Sequence, residues 1–303
     1  MDYKKFVEEI VQQLREYYGK DADVSVKTIL GNNGNHREGL VIKFTDEDTS
    51  LCPIIYLDIL FEAYSDEGRD VDSCAGIIVQ IRKDCEADDK IKGIAKSIIG
   101  WENVKEKVYP VLISVSKNEE YLKELVHTPF LDLAIVYEIR NEDEGCRMAS
   151  AKVTHSLMNV YGISKSELHR QAIQNMEKDG YQMKDLLQLV QDYFCESDVS
   201  DIADELELET GKMYVLTNSK KQYGAACLLY AEFLEENLGN TTAFILPSSV
   251  HEVIVVPISS DIGAEQLNAM IQDVNEAHVD VCERLSDHYY IWDGQAKEVK
   301  MYT

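Results

Sequence analysis

Long apolar runs are missing: nothing in this chain approaches the roughly 18 consecutive apolar residues that a membrane-spanning helix requires. The first residues, MDYKKFVEEIVQQLREYYG, carry acids inside their apolar pattern, which argues against a signal peptide. Basic charge is scarce, with 30 Lys and Arg against 55 Asp and Glu and a formal net charge of −25. Such a chain repels phosphate backbones and anionic bilayers, so direct nucleic-acid binding and membrane binding are both disfavoured. The acidity serves solubility, or it recognises a basic protein partner. Cysteine pairs are absent: the seven cysteines, Cys52, Cys74, Cys85, Cys146, Cys195, Cys227 and Cys282, contain no CxxC and are odd in number. That pattern excludes a zinc ribbon and a disulfide framework, and it fits a reducing, cytoplasmic setting.

The standard catalytic signatures are missing as well. There is no GxxxxGK[ST], GxGxxG or GxSxG. Gly211-Lys212 is followed by Met213 and lacks an upstream glycine, so it forms no phosphate loop. His251-Glu252 has no second histidine behind it, and the β-branched run that follows belongs on a strand, not on a zinc-binding helix. No cofactor or metal is expected.

What is present is an alternation of helical and strand periodicities, read as an α+β fold with antiparallel or mixed sheets and packed helices. At 303 residues, two domains are the expectation. Phe6, Ile10, Val11, Leu14, Tyr17 and Tyr18 lie on one helical face, with Asp2 to cap it and Gly19 to end it. Two period-2 runs, at 24–30 and 40–44, flank GNNGNHRE as a β-hairpin. Residues 53–65, 70–84 and IKGIAKSII follow as helices, then YPVLISV, LDLAIVYEIR and CRMASAKVT as strands. Ser164 to Glu167 is a capping box. Met183, Leu186, Leu187, Val190 and Phe194 share a second helical face. Residues 1–194 form the expected N-terminal domain. Residues 195–210, with seven acids and no base, form an acidic connector. Residues 211–303 form a β-α-β-β-α-β-β domain, with one helix spanning Gly224 to Leu238 and a closing hairpin after Asp293-Gly294.

Within that last domain, Pro247-Ser248-Ser249-Val250-His251-Glu252 joins two apolar strands. A hydroxyl, an imidazole and a carboxylate this close together suit acid–base or nucleophilic chemistry. Ser249 and His251 fall on one face while Glu252 points away, so a third group such as Asp287 would have to complete a site. The competing reading is a tight turn whose serines bond to backbone. A second candidate is the loop Thr217 to Tyr223, where Lys220 and Lys221 precede a helix start that suits an anion; a solvated loop is the competing reading. Trp292 and the nearby tyrosines suit either an interface or a core.

Several segments together resemble a bacterial family of unknown function, numbered 5688: YLDILFEAYSDEG, LDLAIVYEI, THSLMNVYGISKSELHRQAIQNM, MYVLTNSKKQYGAACLLY, AFILPSSVHEVIVVP and LSDHYYIWD. The resemblance covers nearly the whole chain. It agrees with a cytosolic setting, and it implies no reaction and supplies no catalytic residues.

Three functional expectations follow. The leading one is a cytosolic, non-enzymatic binding or regulatory protein with an acidic interaction surface. The first alternative is a hydrolase-like enzyme with catalytic Ser249, His251 and Asp287. The second is a small-anion sensor built on Lys220 and Lys221. Ser248, Glu252 and Tyr223 would line the ligand.

Overall fold

Local signals and long-range pairing both shape the computed structural model, which describes residues 1–45, 54–87, 100–142, 148–193, 213–247, 249–258 and 264–301. The fold is α+β, and every sheet pairing among the described residues is antiparallel. Contacts divide the chain into two compact units, Met1–Gly31 with Asn35–Ile99, and Asn32–Gly34 with Gly100–Thr303.

In the first unit, helix α1 (Tyr3–Tyr18) starts where the Asp2 side chain accepts the Lys5 N–H at 2.9 Å and stops at Gly19, whose φ is 58°. Its buried stripe is Phe6, Ile10 and Leu14. It packs on a sheet of β1 (Ala22–Leu30), β2 (His36–Phe44) and β3 (Ile54–Tyr56), in that order. The helix expected over 53–65 is α2 (Leu57–Ser65), preceded by three residues of strand. β-Branched Ile54 and Ile55 pair with Val41 and Leu40, a long-range gain that helical spacing cannot register. Helix α3 (Val71–Ala87) adds Cys74, Ala75 and Ile78 to the core. Arg37 clamps Asp58 through two hydrogen bonds of 2.6 and 2.8 Å, which holds that carboxyl below its ordinary range. The expected helix IKGIAKSII lies outside the described residues.

The second unit opens with two short helices, α4 (Trp101–Val104) and α5 (Tyr121–Glu124), around strand β4 (Val108–Ser114). Strand β6 (Leu133–Glu142) pairs with β4, with β5 (His127–Phe130) and with β7 (Met148–Lys152). Thr154 caps α6 (His155–Tyr161), and Ser164 caps α7 (Lys165–Lys178) by accepting the Glu167 N–H at 3.2 Å. Leu168, Ala172 and Met176 form the buried stripe of α7.

The segment around Met183, expected as helix, is instead strand β8 (Tyr181–Asp185), and the helix begins at Leu186 as α8 (Leu186–Tyr193). The cause is again pairing: β8 aligns Met183 with Leu216 on β9 (Tyr214–Asn218). A strand from before the acidic stretch thus joins the sheet formed after it. Residues 195–210 themselves lie outside the described residues.

The larger sheet is completed by β10 (Ala243–Leu246), β11 (Val253–Pro257), β12 (Tyr290–Asp293) and β13 (Glu298–Met301), in the order β13-β12-β10-β11-β9-β8. The helix expected from Gly224 to Leu238 breaks at Tyr230 into a 3-10 turn (Gly224–Leu229) and α9 (Ala231–Leu238). Helix α10 (Ala264–His278) buries Leu267 and Ile271. Trp292 and Tyr290 are fully buried, which makes them core.

The closing β12–β13 hairpin gives a pH prediction. Asp293 accepts from the Lys300 ammonium at 2.7 Å and from two backbone N–H groups of the turn, and these hold its carboxyl down to about 2. A carboxyl held low in the fold stabilises above the ordinary value of 3.8, and that contribution is lost as pH falls toward 2. Carbon-detected NMR titration is expected to show Asp293 ionised at pH 3 and to show its midpoint rising in Lys300→Met. An unchanged midpoint in that variant would remove Lys300 as the cause.

Candidate functional site

Strand β6 is buried on both faces from Leu133 to Arg140, yet it carries Glu138 and Arg140 two residues apart. Their side chains keep only 2% and 4% of their surface exposed, so each charge needs a partner. Arg140 Nε donates to Glu138 Oε1 at 3.2 Å, and its Nη1 lies 3.9 Å from Asp179 at the end of α7. Lys152 stands opposite Glu138 across the β6–β7 pair and donates to its other oxygen. Burial lowers the Lys152 ammonium's pKa, and the Glu138 carboxylate opposes that shift.

The loop after β9 closes over these charges. Asn218 holds it by donating to Gln222 O at 2.7 Å and accepting the Gln222 N–H at 3.1 Å. Lys221 and Tyr223 both adopt left-handed backbone, with φ of 53° and 52°. The Tyr223 ring lies 4.7 Å from Lys152 Nζ and 5.2 Å from Arg140 Cζ, where its face attracts both cations. Burial first, and then the Glu138 carboxylate, push the Tyr223 hydroxyl up to about 12.

His251 packs against Tyr223 with ring centroids 5.3 Å apart. Its Nδ1 accepts the Tyr223 backbone N–H at 3.1 Å, so the proton of the neutral ring sits on Nε2, which faces Glu283 Oε1 at 3.3 Å. Ser249 Oγ accepts the His251 backbone N–H at 3.0 Å. The structure therefore brings Lys220, Tyr223, Ser249 and His251 to one region, with Lys220 Nζ 4.0 Å from Asp179. In the 3-10 turn after the loop, the Ala225 and Ala226 amides donate to Val250 O and Tyr223 O. Glu252 is exposed just before β11, and Ser248 lies outside the described residues.

Asp287 sits elsewhere, on a cavity of about 410 Å³ lined by Ser114, Ser116, Lys117, Asp132 and Ser286. It accepts from Asn275 at 2.9 Å and pairs with Lys117 at 2.8 Å. Burial raises its carboxyl's pKa, but the Lys117 and Asn275 hydrogen bonds outweigh that and leave it low. Asp132 is likewise engaged, by the hydroxyls of Ser286 at 3.0 Å and Tyr290 at 2.5 Å. Among the described residues, no group of three or more His, Cys, Asp or Glu is arranged to hold a metal ion.

A third feature lies in the first unit. A groove of about 570 Å³ runs between α1 and β1. Val7, Val11 and Val26 line it as partly buried apolar residues, and exposed Glu8 and Glu16 border it two helical turns apart. Neither this groove nor Glu138, Arg140 and Lys152 is among the residues singled out from sequence. The readable signal for the ion cluster was two charges on a strand face that otherwise carries Ala134 and Val136.

In comparison with known proteins, the model of a family of unknown function, DUF5688, matches residues 3–294. No curated protein and no solved structure matches the chain.

Proposed function

The chain belongs to this family, and we propose that it is a non-enzymatic binding protein whose first unit receives a basic segment of a partner protein. The observation that carries the reading is the groove between α1 and β1, an apolar floor bordered by Glu8 and Glu16. An apolar strip gives affinity by burial, and the acids select a cationic occupant and speed its approach. The net charge of −25 adds attraction at longer range.

The arrangement in the second unit supports binding over hydrolysis. A hydrolase built on Ser249 and His251 needs the hydroxyl to donate to the ring. Among the described residues no hydrogen bond joins Ser249 Oγ to the His251 ring, whose two nitrogens face the Tyr223 N–H and Glu283, and Asp287 is engaged with Lys117. The buried, free thiols of Cys74 and Cys227 support a cytosolic location.

The test is fluorescence anisotropy with the labelled peptide Lys-Thr-Arg-Thr-Lys-Thr-Arg at low salt. The expected result is binding that weakens with added salt and falls at least tenfold in the doubly reversed variant Glu8→Lys/Glu16→Lys. Both sites are exposed, so the variant keeps its fold. Equal affinity for variant and wild type would refute the groove as the docking site.

A further inference from the structure

The backbone beside that groove is a strand edge. Asp21 O accepts the Thr45 N–H at 3.0 Å, and the Gly31 N–H donates to Asn35 O at 2.7 Å. With the register running from Ala22↔Phe44 to Leu30↔His36, these bonds place the odd-numbered residues of β1 in the hydrogen-bonded pairs with β2. The even-numbered residues therefore turn their N–H and C=O groups outward. β1 is the end strand of its sheet, so these groups form an edge. Arg15 already covers one of them, its Nε and Nη2 donating to Val24 O at 3.2 and 3.0 Å. Among the described residues, no hydrogen bond takes the outward groups of Val26, Thr28 or Leu30. An edge of this kind is a template for another chain.

We infer that the basic segment docks as an added antiparallel β-strand on Val26, Thr28 and Leu30, a mode that rests on the groove reading given above. The side chains of the even-numbered residues lie on the face toward α1, because Val24 is buried in that core and Val26 packs against it. An antiparallel strand bonded to those residues sets its own bonding residues on the same face. Lys or Arg there would lay its aliphatic stem on Val7 and Val11 and place its charge near Glu8 and Glu16. Arg15 also lines the groove, but its guanidinium is held on Val24 O at one end of it, and Lys27, being odd-numbered, faces away. A second copy of this chain is a poor occupant, since it would bring Glu8 and Glu16 against their own kind on chains of net charge −25. The partner segment therefore alternates Lys or Arg with small strand-forming residues.

The experiment compares three forms of the same peptide: unmodified, N-methylated at every Lys and Arg, and N-methylated at every Thr. The strand geometry puts the bonding amides on the basic residues. Affinity is expected to fall at least tenfold with the first methylation and to stay near that of the parent with the second. Thr28→Pro, which removes an outward donor from the edge, is expected to weaken the parent peptide by a similar factor. Equal binding of all three peptides, still lost in Glu8→Lys/Glu16→Lys, overturns strand addition and leaves the groove standing. Loss of binding on Thr methylation alone overturns the antiparallel register. Absence of binding by the parent peptide removes the groove reading itself. A concentration-dependent dimer that Thr28→Pro dissolves assigns the edge to a second copy and also overturns the inference.

Discussion

Replacing Glu138 with Ala is expected to lower the melting temperature of the second unit by on the order of 10 °C. Glu138 is the shared anion of two cations, bonded to Arg140 through one oxygen and to Lys152 through the other. Removing one partner of a buried pair typically costs about 3–5 kcal/mol, because the remaining charge keeps its desolvation penalty and loses its compensation. For a unit of this size, each kcal/mol moves the midpoint by roughly 2–4 °C. The two cations respond differently. Lys152 sheds its proton, since burial already lowers its pKa and Glu138 is what opposes that shift. Arg140 cannot lose its proton, and Asp179 at 3.9 Å, with the rings of Tyr109 and Tyr223, is what is left to it. Calorimetry of Glu138→Ala beside Lys152→Met checks this, with the lysine variant expected to cost less. A shift below about 2 °C for Glu138→Ala would mean that water reaches the cluster.

The same group sets a pH dependence. A lysine whose pKa is lower in the fold than in the open chain binds fewer protons when folded. Stability contributed at this site therefore rises with pH from the folded pKa toward the ordinary value of 10.5, and is flat below the window. Lys152→Met removes that slope.

The parts of this architecture legible in the sequence are those set by local chemistry. Asp2 and Gly19 delimit α1, Ser164 caps α7, and alternation marks both strands of the first hairpin. The order of elements after residue 211 is readable for the same reason. The errors fall where a distant partner decides the outcome. Met183, Leu186 and Leu187 have helical spacing, but β9 offers the Tyr181–Asp185 backbone a full ladder, and the helix starts only after it. Tyr230 breaks the helix expected from Gly224, where the buried 3-10 turn first packs against β9 and β4. The candidate region is half legible: polar residues mark both the loop at 217–223 and the turn at 247–252. That Tyr223 bonds His251 across 28 residues, above charges on β6 and β7, is a consequence of sheet order.

That junction rests on Gly224, and Gly224→Ala is expected to be the most damaging small substitution in the loop. A Cβ there would stand 2.3 Å from Thr217 Oγ1, 2.5 Å from His251 O and 2.7 Å from Asn218 N. Two of those three atoms are backbone, held in neighbouring strands or the turn between them, so no rotamer change makes room. Accommodation requires β9 and the His251 turn to separate, which breaks the 2.8 Å bond from Thr217 Oγ1 to His251 O and lengthens the 3.1 Å bond from Tyr223 N–H to His251 Nδ1. Overpacking of this kind costs about 1–3 kcal/mol, and the lost hydrogen bond adds about 1 kcal/mol. Gly76→Ala is the control: its added methyl group meets nothing within 4 Å on the exposed side of α3, and alanine in a helix gains roughly 0.5–1 kcal/mol over glycine. The two substitutions make the same chemical change and should move the melting temperature in opposite directions. NMR of the His251 ring then separates local from global damage. If Gly224→Ala leaves Nδ1 accepting and the melting temperature unchanged, the close approach of β9 to the His251 turn is not what holds Tyr223 over Arg140 and Lys152.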